Sequence, residues 1–389
     1  MASEQTHNEP NILKIALLGM IALVIAMGIG RFSFTPILPM MQNDGSLNLS
    51  LGGWLASINY LGYLIGGMTA RRLMSNPVLL VKSALLLVVG TNTAMGLTAQ
   101  YEVWLMLRIV CGAASAWVMV GISSLCMPAL SQSPRLASLV YTGVGNGISL
   151  TGIICLVLVI IDASANTAWI MTAVAAALLG MSIWHVFSDK RFTQAAKGNG
   201  AKASAPRSGG TITSEQWILI WSYGISGFGY IIPATFLPAQ AREILGDTPL
   251  FGLAWPVFGM ASAAMVFFAG VLAARWGRIR VWMIAHIVMA IGVITPAVWP
   301  GLTGILLSAL CVGGTFVAVT LIAMQHAQAV SKSEAPTMMA RLTTAYAAGQ
   351  ILGPILISML DTNAHLAIWA CSFTLILSSW MLSRLKPHG

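Results

Sequence analysis

Long apolar runs separated by short polar stretches occupy most of the chain. A helix needs about 20 apolar residues to cross a hydrocarbon core of about 30 Å, and these runs are of roughly that length or longer. We count twelve, at 13–40, 49–70, 78–97, 103–127, 136–161, 168–187, 217–239, 250–273, 281–299, 302–324, 338–360 and 366–385. The pattern predicts an all-α membrane protein with twelve transmembrane helices.

The longest polar stretch divides these runs six and six. Residues 188–216 are rich in Gly, Ala, Ser and Lys, a composition typical of flexible linkers. We therefore expect an N-terminal six-helix bundle at 1–187, a linker at 188–216 and a C-terminal six-helix bundle at 217–389.

The two halves also repeat one another. Landmarks of the first half recur in the second half in the same order, with offsets that drift from 199 to 206 residues. They are Gly28-x-Gly30 with Pro39 and Gly227-x-Gly229 with Pro238, then Gly66 to Arg71 and Gly270 to Arg275, then Gly143 with Gly147 and Gly349 with Gly353. A parallel repeat of six spans predicts two pseudo-symmetric bundles, an arrangement found in transporters.

Composition agrees with a membrane protein and excludes a separate catalytic domain. The chain is 57% hydrophobic and 8% charged, whereas a soluble domain carries about 25% charged residues. Because the spans leave so little chain over, we expect neither an enzyme nor a cofactor site. The five cysteines lie inside spans without the paired spacing of metal ligands, so we also expect no metal site.

The net charge of +9 indicates how the protein is oriented in the membrane and does not indicate a nucleic-acid-binding surface. Most Lys and Arg residues lie in loops or termini on one side of the alternating topology, and only Arg242 lies in a loop on the other side. Cytoplasmic loops carry this excess of basic residues. The bias therefore predicts that both termini are cytoplasmic.

Several motifs resemble a known family. The segment from Gly270 to Arg280 resembles the loop motif of the major facilitator superfamily, and Arg108-x-x-x-Gly112 resembles a second motif of that superfamily. The segments that resemble its bacterial YbfB/YjiJ group are Met27–Met41, Asn59–Tyr63, Tyr141–Gly145 and Tyr223–Pro238. The resemblance implies the major facilitator fold and an inner-membrane transporter that works by alternating access, with its site near the midplane between the bundles.

The resemblance also implies residues that gate the transporter, with one departure. The usual acidic residue of the loop motif is replaced by Ala274, and by Ala70 in the first half. Arg71 and Arg275 therefore lack their usual partner, although we keep both as candidate gating residues. Helices 5 and 11 meet the opposite bundle in this fold, which adds four glycines as candidates: Gly143, Gly147, Gly349 and Gly353.

Arg31 is the leading candidate for substrate binding. It lies deep in the first span, where a guanidinium costs about 2.5–3.5 kcal/mol on insertion scales. The alternative is that its long side chain snorkels to the outer surface. Arg108 is a second candidate cation, and the alternative for it is an ion pair with Glu102 or hydrogen bonds to carbonyls of a neighbouring helix.

Aromatic and polar residues on the presumed cavity helices complete the predicted site. The remaining candidates are Tyr60, Trp117, Tyr223, Tyr230, Tyr346 and Gln350. Tyr230 is the equivalent of Arg31 at the offset of 199 residues. Each could serve helix packing alone, whereas together they fit an organic solute with an apolar body and a polar end.

The favoured cargo is a small anion or a zwitterion with a carboxylate, because two arginines stand in spans that carry no acidic residue. One alternative is proton-coupled efflux of apolar or cationic drugs, which would require a carboxylate in the cavity. A second alternative is a membrane sensor that has the same fold but does not transport. The expected partners are a small-molecule substrate and the lipid bilayer, with no nucleic acid, and we expect a monomer.

Overall fold

The computed structural model describes residues 12–73, 75–130, 132–185, 187, 212–330, 335–360 and 364–385. Helices account for nearly all of them. In chain order they are α1 (Ile12–Asn43), α2 (Leu49–Leu73), α3 (Pro77–Leu97), α4 (Tyr101–Cys126), α5 (Pro134–Ile160), α6 (Ala165–Trp184), α7 (Ser214–Leu245), α8 (Pro249–Trp276), α9 (Arg278–Val298), α10 (Leu302–Val330), α11 (Ala335–Leu360) and α12 (Ala364–Ser383). The predicted all-α membrane fold is confirmed, with twelve helices in the described part of the chain.

The helix bounds differ from the apolar runs where polar caps extend a helix. The first residues of α7 were assigned to the linker, but Thr213 and Gln216 form a reciprocal cap of side chain and backbone, so the helix begins at Ser214. Such a cap satisfies amide groups that the first turn leaves unpaired. At its other end α7 continues to Leu245, which places Arg242 in its last turn rather than in a loop. The rest of the predicted linker, residues 188–211, lies outside the described residues.

α1 is not a uniform α-helix. Residues Val24–Arg31 form a π-helical segment, and at its end the amide of Phe32 donates to the carbonyl of Met27 at 3.1 Å. The segment packs closely against α5. A Cβ added at Gly28 would lie only 2.2 Å from the Cα of Gly147, so a larger residue would not fit. Wide turns of this kind are rare and are often found at functional sites.

The two bundles meet along three pairs of helices: α2 with α11, α5 with α8, and α1 with α7. Between α1 and α7, Thr35 donates to the carbonyl of Ala234 at 2.7 Å, and Arg242 donates to Asn43 at 2.6 Å. Both pairs are separated by 199 residues, the offset of the sequence repeat. Equivalent residues can touch only at a two-fold axis, so the pseudo-two-fold axis runs between α1 and α7.

The interface is closed at one end. We call the ends of the bundles that carry the 188–216 segment the linker end, and the opposite ends the far end. In the described part of the chain, the hydrogen bonds between bundles lie from the middle of the helices to the far end, as in Ser57 with Ile351 at 3.2 Å and Ser149 with Pro256 at 3.2 Å.

Ten of the helices are long and apolar enough to cross a membrane by length and composition, judged on the described residues. The other two are α2 and α11, which are more polar and pack against each other between the bundles. Their lower hydropathy therefore coincides with a position at the interface between the bundles.

Candidate functional site

Arg31 ends the π-helical segment of α1 and lies between the bundles. Its side chain is only 4% exposed, and its Nη2 donates to Oε1 of Gln350 on α11 at 2.6 Å. The snorkelling alternative is therefore wrong, because the guanidinium crosses to the opposite bundle instead of reaching the far end.

Gln350 forms a second hydrogen bond, to α7. The Nε2 of Gln350 donates to the hydroxyl of Tyr230, the residue that the repeat makes equivalent to Arg31. Arg31, Gln350 and Tyr230 thus form one chain across the interface, with a cation at one end and a phenol at the other.

Arg31 has no carboxylate partner among the described residues. The one ion pair there joins Arg242 and Asp247 at the far end, and none of the described Asp or Glu side chains is buried. The Nε of Arg31 is itself buried without a hydrogen-bond partner in the described part of the chain. The site therefore contains a buried positive charge with unused donor capacity.

Ring faces surround the guanidinium where a carboxylate would otherwise stand. The Cζ of Arg31 lies 4.1 Å from the ring centroid of Tyr63, 5.1 Å from that of Tyr60 and 5.2 Å from that of Phe32. A desolvated cation over an aromatic face gains about 2 kcal/mol. The rings offset part of the cost of burying the charge while leaving the donor edge of the guanidinium available.

A column of stacked rings stands beside this cation in the C-terminal bundle. Tyr223 stacks on Tyr346 with centroids 4.5 Å apart, Tyr346 stacks on Tyr230 at 5.5 Å, and Tyr230 stacks on Phe316 at 4.9 Å. The successive interplanar angles are 20°, 13° and 5°, so the four rings are nearly parallel. The column brings α7, α10 and α11 together next to Gln350.

Comparison with known proteins identifies a family and a solved structure that this chain resembles. Residues 23–382 match the model of a family described as "Uncharacterised MFS-type transporter YbfB". The chain belongs to this family. Among solved structures, the chain is similar to the xylose transporter XylE from E. coli in a partially occluded inward-open conformation, with 15% identity, a TM-score of 0.71, and coverage of 97% of this chain and 100% of that one. No match was found among curated proteins.

Membership in the YbfB family makes the chain a membrane transporter that works by alternating access, and not an enzyme. The likeness to XylE supports the fold alone. The major facilitator resemblance read from the loop and helix motifs is thereby confirmed.

Arg108 does not share the environment of Arg31. Its side chain is 2% exposed, and it donates to the carbonyl of Leu55 at 3.5 Å and to that of Arg31 at 3.4 Å while lying over the ring of Phe34 at 5.0 Å. This is the carbonyl-binding alternative that the sequence left open. Arg108 thus supports the backbone of Arg31, because it contacts the carbonyl of that residue.

The other predicted residues divide into two groups. Tyr60, Tyr223, Tyr230, Tyr346 and Gln350 all lie in the rings and hydrogen bonds just described. Trp117 does not, since its Nε1 donates to Thr69 of α2 at 3.0 Å. It lies nine residues beyond Arg108, about 14 Å further along α4 toward the linker end.

The four predicted gating glycines lie within the bundles rather than between them. Gly143 and Gly147 pack against α1, and Gly349 and Gly353 pack against α7. On α5, the glycines that meet the opposite bundle are Gly145, where a Cβ would lie 2.4 Å from the amide nitrogen of Ala263, and Gly152, where it would lie 2.5 Å from the Cδ of Pro256. Gly145 is two residues from Gly143, about 200° around the helix, so Gly143 and Gly145 face different neighbours. A gating role for the four remains a prediction.

Of the two predicted gating arginines, Arg275 is exposed at the linker end of α8. The side chain of Arg71 lies outside the described part of the chain. Their role likewise remains a prediction.

Tyr63 and Thr235 are residues of the site that were not among the sequence candidates. Tyr63 makes the shortest ring contact with Arg31, and it lies three residues after Tyr60, a spacing that puts both on one helix face. Thr235 accepts or donates a hydrogen bond with the Tyr60 hydroxyl at 2.9 Å, which joins α2 to α7. The spacing could have identified Tyr63, whereas nothing local pointed to Thr235.

Proposed function

We propose that this protein transports a small organic anion, or a zwitterion with a carboxylate, and that Arg31 binds the carboxylate. The observation that carries the proposal is a buried arginine at the bundle interface that has no acidic partner among the described residues. A charged side chain at membrane depth is costly unless something compensates it, and an anionic substrate would compensate it during transport.

The donor geometry of Arg31 fits a carboxylate better than it fits Gln350. Nε and Nη2 lie on the same edge of a guanidinium, and a carboxylate binds both in parallel. In the structure the single amide oxygen of Gln350 accepts a hydrogen bond from Nη2, and Nε is buried without a partner among the described residues. A carboxylate at this edge would satisfy both donors.

The same geometry gives a means of coupling binding to alternating access. The Arg31–Gln350 bond joins α1 to α11 and therefore joins the two bundles. The amide of Gln350 binds one donor of the guanidinium without adding a charge, whereas a carboxylate adds an opposite charge and accepts from both Nε and Nη2. A bound carboxylate would therefore outcompete the amide of Gln350. Substrate binding would then exchange a contact between bundles for a contact with the substrate.

Efflux of cationic drugs fits the site less well. A proton-coupled exporter of cations needs a titratable carboxylate in its cavity, and each described Asp or Glu is only partly buried or exposed. A buried arginine would also repel a cationic substrate.

We further infer that the protein lies in a bacterial inner membrane, as a monomer, with both termini and the linker end cytoplasmic. The bias of basic residues supports the orientation. The far end would then be periplasmic, and the conformation would face inward. Single cysteines at Ser204 and Thr248 in a cysteine-free background test this, because an impermeant thiol reagent should reach the first only from the cytoplasm and the second only from outside.

Ligand-induced thermal stabilisation of the purified protein tests the substrate class. A panel of carboxylates, amines and neutral solutes is compared on the wild type, Arg31→Met and the matched control Arg242→Met. We expect carboxylates to stabilise the wild type and Arg242→Met but not Arg31→Met, since ligand binding raises stability by mass action. Stabilisation by amines alone, or an equal response of Arg31→Met to carboxylates, would contradict the proposal.

A further inference from the structure

The direction of the Arg31 side chain depends on contacts behind it, in the N-terminal bundle. We propose that Asn92 of α3 is a positioning residue for Arg31, because it holds the irregular part of α1 from which that side chain crosses the interface. The inference deepens the proposed function, and it rests on that function where binding of a carboxylate is concerned.

The backbone of α1 is irregular on both sides of Arg31. The π-helical segment ends at Arg31, and the amide of Phe32 donates to the carbonyl of Met27, five residues back, at 3.1 Å. Further on, Pro36 has no amide hydrogen to donate to the carbonyl of Phe32, which accepts from Thr35 at 3.3 Å instead. A regular helix therefore does not determine where the side chain of Arg31 points.

Side chains of α3 and α4 hold this part of α1. Before Arg31, the carbonyl of Gly30 accepts a hydrogen bond from the Sγ of Cys111 at 3.0 Å. After it, the Oγ of Ser33 donates to the Oδ1 of Asn92 at 3.3 Å. The Nδ2 of Asn92 donates to the Sγ of Cys111 at 3.8 Å. Asn92 thus connects the backbone before Arg31 to the side chain after it.

The network is buried and closely packed. The exposed fractions are 0% for Ser33, 1% for Asn92 and 3% for Cys111. A Cβ added at Gly30 would lie 2.8 Å from the Oγ of Ser115 on α4, so the segment has little space in which to shift. Because buried polar side chains need hydrogen-bond partners, Asn92 favours the arrangement of α1 that places Ser33 against it.

Loss of the network should rotate Arg31. π-helical turns are rare, so without Asn92 we expect the segment to return to regular α-helical geometry. Removing its extra residue shifts position 31 by one place, which is about 100° around the helix axis. The guanidinium would then no longer face Gln350 or a carboxylate bound beside it.

A double-mutant cycle measures this rotation without a ligand. The coupling between Arg31→Met and Gln350→Met in the free energy of unfolding reports the hydrogen bond between the two residues. We expect the coupling to be present in the wild type and in Thr93→Val, and to be lost in Asn92→Leu. Thr93 is a matched control, because it is the next residue of α3 and its hydroxyl donates to the carbonyl of Val89 in its own helix at 2.9 Å. A general loss of stability would leave the coupling unchanged.

Binding of a carboxylate gives a second measurement. For an acid that stabilises the wild type but not Arg31→Met, Asn92→Leu should raise the equilibrium Kd by about tenfold or more, since hydrogen bonds to the charged guanidinium are lost. Thr93→Val should keep the Kd near the wild-type value. Ser33→Ala removes only one hydroxyl and should show both effects in smaller size, and it decides the question if Asn92→Leu does not fold.

The outcomes separate this inference from the proposed function. Coupling that persists in Asn92→Leu would overturn the positioning role and leave an anion transporter, as would a loss of coupling with an unchanged Kd. Loss of the coupling in a protein that binds no carboxylate would support the positioning of Arg31 and contradict the proposed function. Absence of the coupling in the wild type would overturn the inference, because the hydrogen bond between Arg31 and Gln350 would not contribute.

Discussion

Two arginines join the two bundles under opposite conditions. Arg31 is buried in the middle of α1 and donates across the interface to the neutral amide of Gln350. Arg242 lies in the last turn of α7 at the far end, where it donates to the carbonyl of Pro39 and to Asn43 and pairs with Asp247 at 2.8 Å. Its side chain is 23% exposed. Both Nη atoms of Arg242 have protein acceptors, whereas the buried Nε of Arg31 has none among the described residues and retains capacity for a ligand.

The two arginines also differ in how they affect the free energy of folding. An exposed ion pair contributes about 0–1 kcal/mol and is screened by salt. A buried cation without an acidic partner costs free energy that stacking and one hydrogen bond offset only in part. We infer that Arg242 helps to hold the far end closed, and that Arg31 is kept for binding at the expense of stability. The predictions that follow break or sharpen this comparison, beginning with the largest expected effect.

Transport should separate the two arginines most clearly. For a carboxylate identified by thermal stabilisation, we expect Arg31→Met to lower flux into proteoliposomes by about 100-fold or more, because both charge and the bidentate fork are lost. Arg31→Lys should recover only part of the flux, since a lysine supplies charge without the fork. Arg242→Met should keep flux within about fivefold of wild type, as expected for an exposed link. Equal defects in Arg31→Met and Arg242→Met would remove the distinction.

Stability without ligand should change in opposite directions. Burying a charge without a charged partner costs free energy, and Arg31→Met leaves no acidic partner uncompensated among the described residues, so Arg31→Met should melt at a higher temperature than wild type. Arg242→Met should melt at the same or a slightly lower temperature. A clearly lower melting temperature for Arg31→Met would mean that the arginine is structural, and the argument for a ligand would fail.

The spans and the axis were predictable from the sequence because both arise from regular physical constraints. Each span must supply about 20 apolar residues, and a repeat of 199 residues places equivalent positions about a common axis. Thr35 and Ala234 lie in contact at that axis. The depth of Arg31 was also predictable, because it follows from its distance to both ends of a span.

The partners of Arg31 were not predictable in the same way. Gln350 is 319 residues away in sequence, and no local pattern distinguishes it from other polar residues on cavity helices. The π-helical segment that ends at Arg31 changes which way its side chain points, and the regular 3.6-residue period cannot anticipate such a change.

Removing the amide of Gln350 tests whether it competes with the substrate for Arg31. In Gln350→Met the guanidinium loses its hydrogen bond to the opposite bundle, and a hydrogen bond to a charged group contributes about 1.5–3 kcal/mol net. We therefore expect a carboxylate substrate to bind about 10-fold more tightly or better, measured as an equilibrium Kd. Weaker binding would show that Gln350 holds the substrate itself, and the exchange of contacts proposed for coupling would be wrong.

The smallest effect is expected at the ion pair of the far end. In Asp247→Asn the charge partner of Arg242 is lost, but its hydrogen bonds to the carbonyl of Pro39 at 2.6 Å and to Asn43 at 2.6 Å can remain. Since Asp247 is 90% exposed, the pair should contribute about 0–1 kcal/mol, and half-molar salt should reduce even that contribution in the wild type.

The measurement is the rate at which a thiol reagent labels a single cysteine at Met40, a residue buried at the closed interface. We expect labelling of Asp247→Asn to be at most a few-fold faster than in a wild-type background at low salt, and the two rates to converge at high salt. A large, salt-independent increase would mean that Asp247 is central to closure, and that the far end depends on one ion pair rather than on several hydrogen bonds to α1.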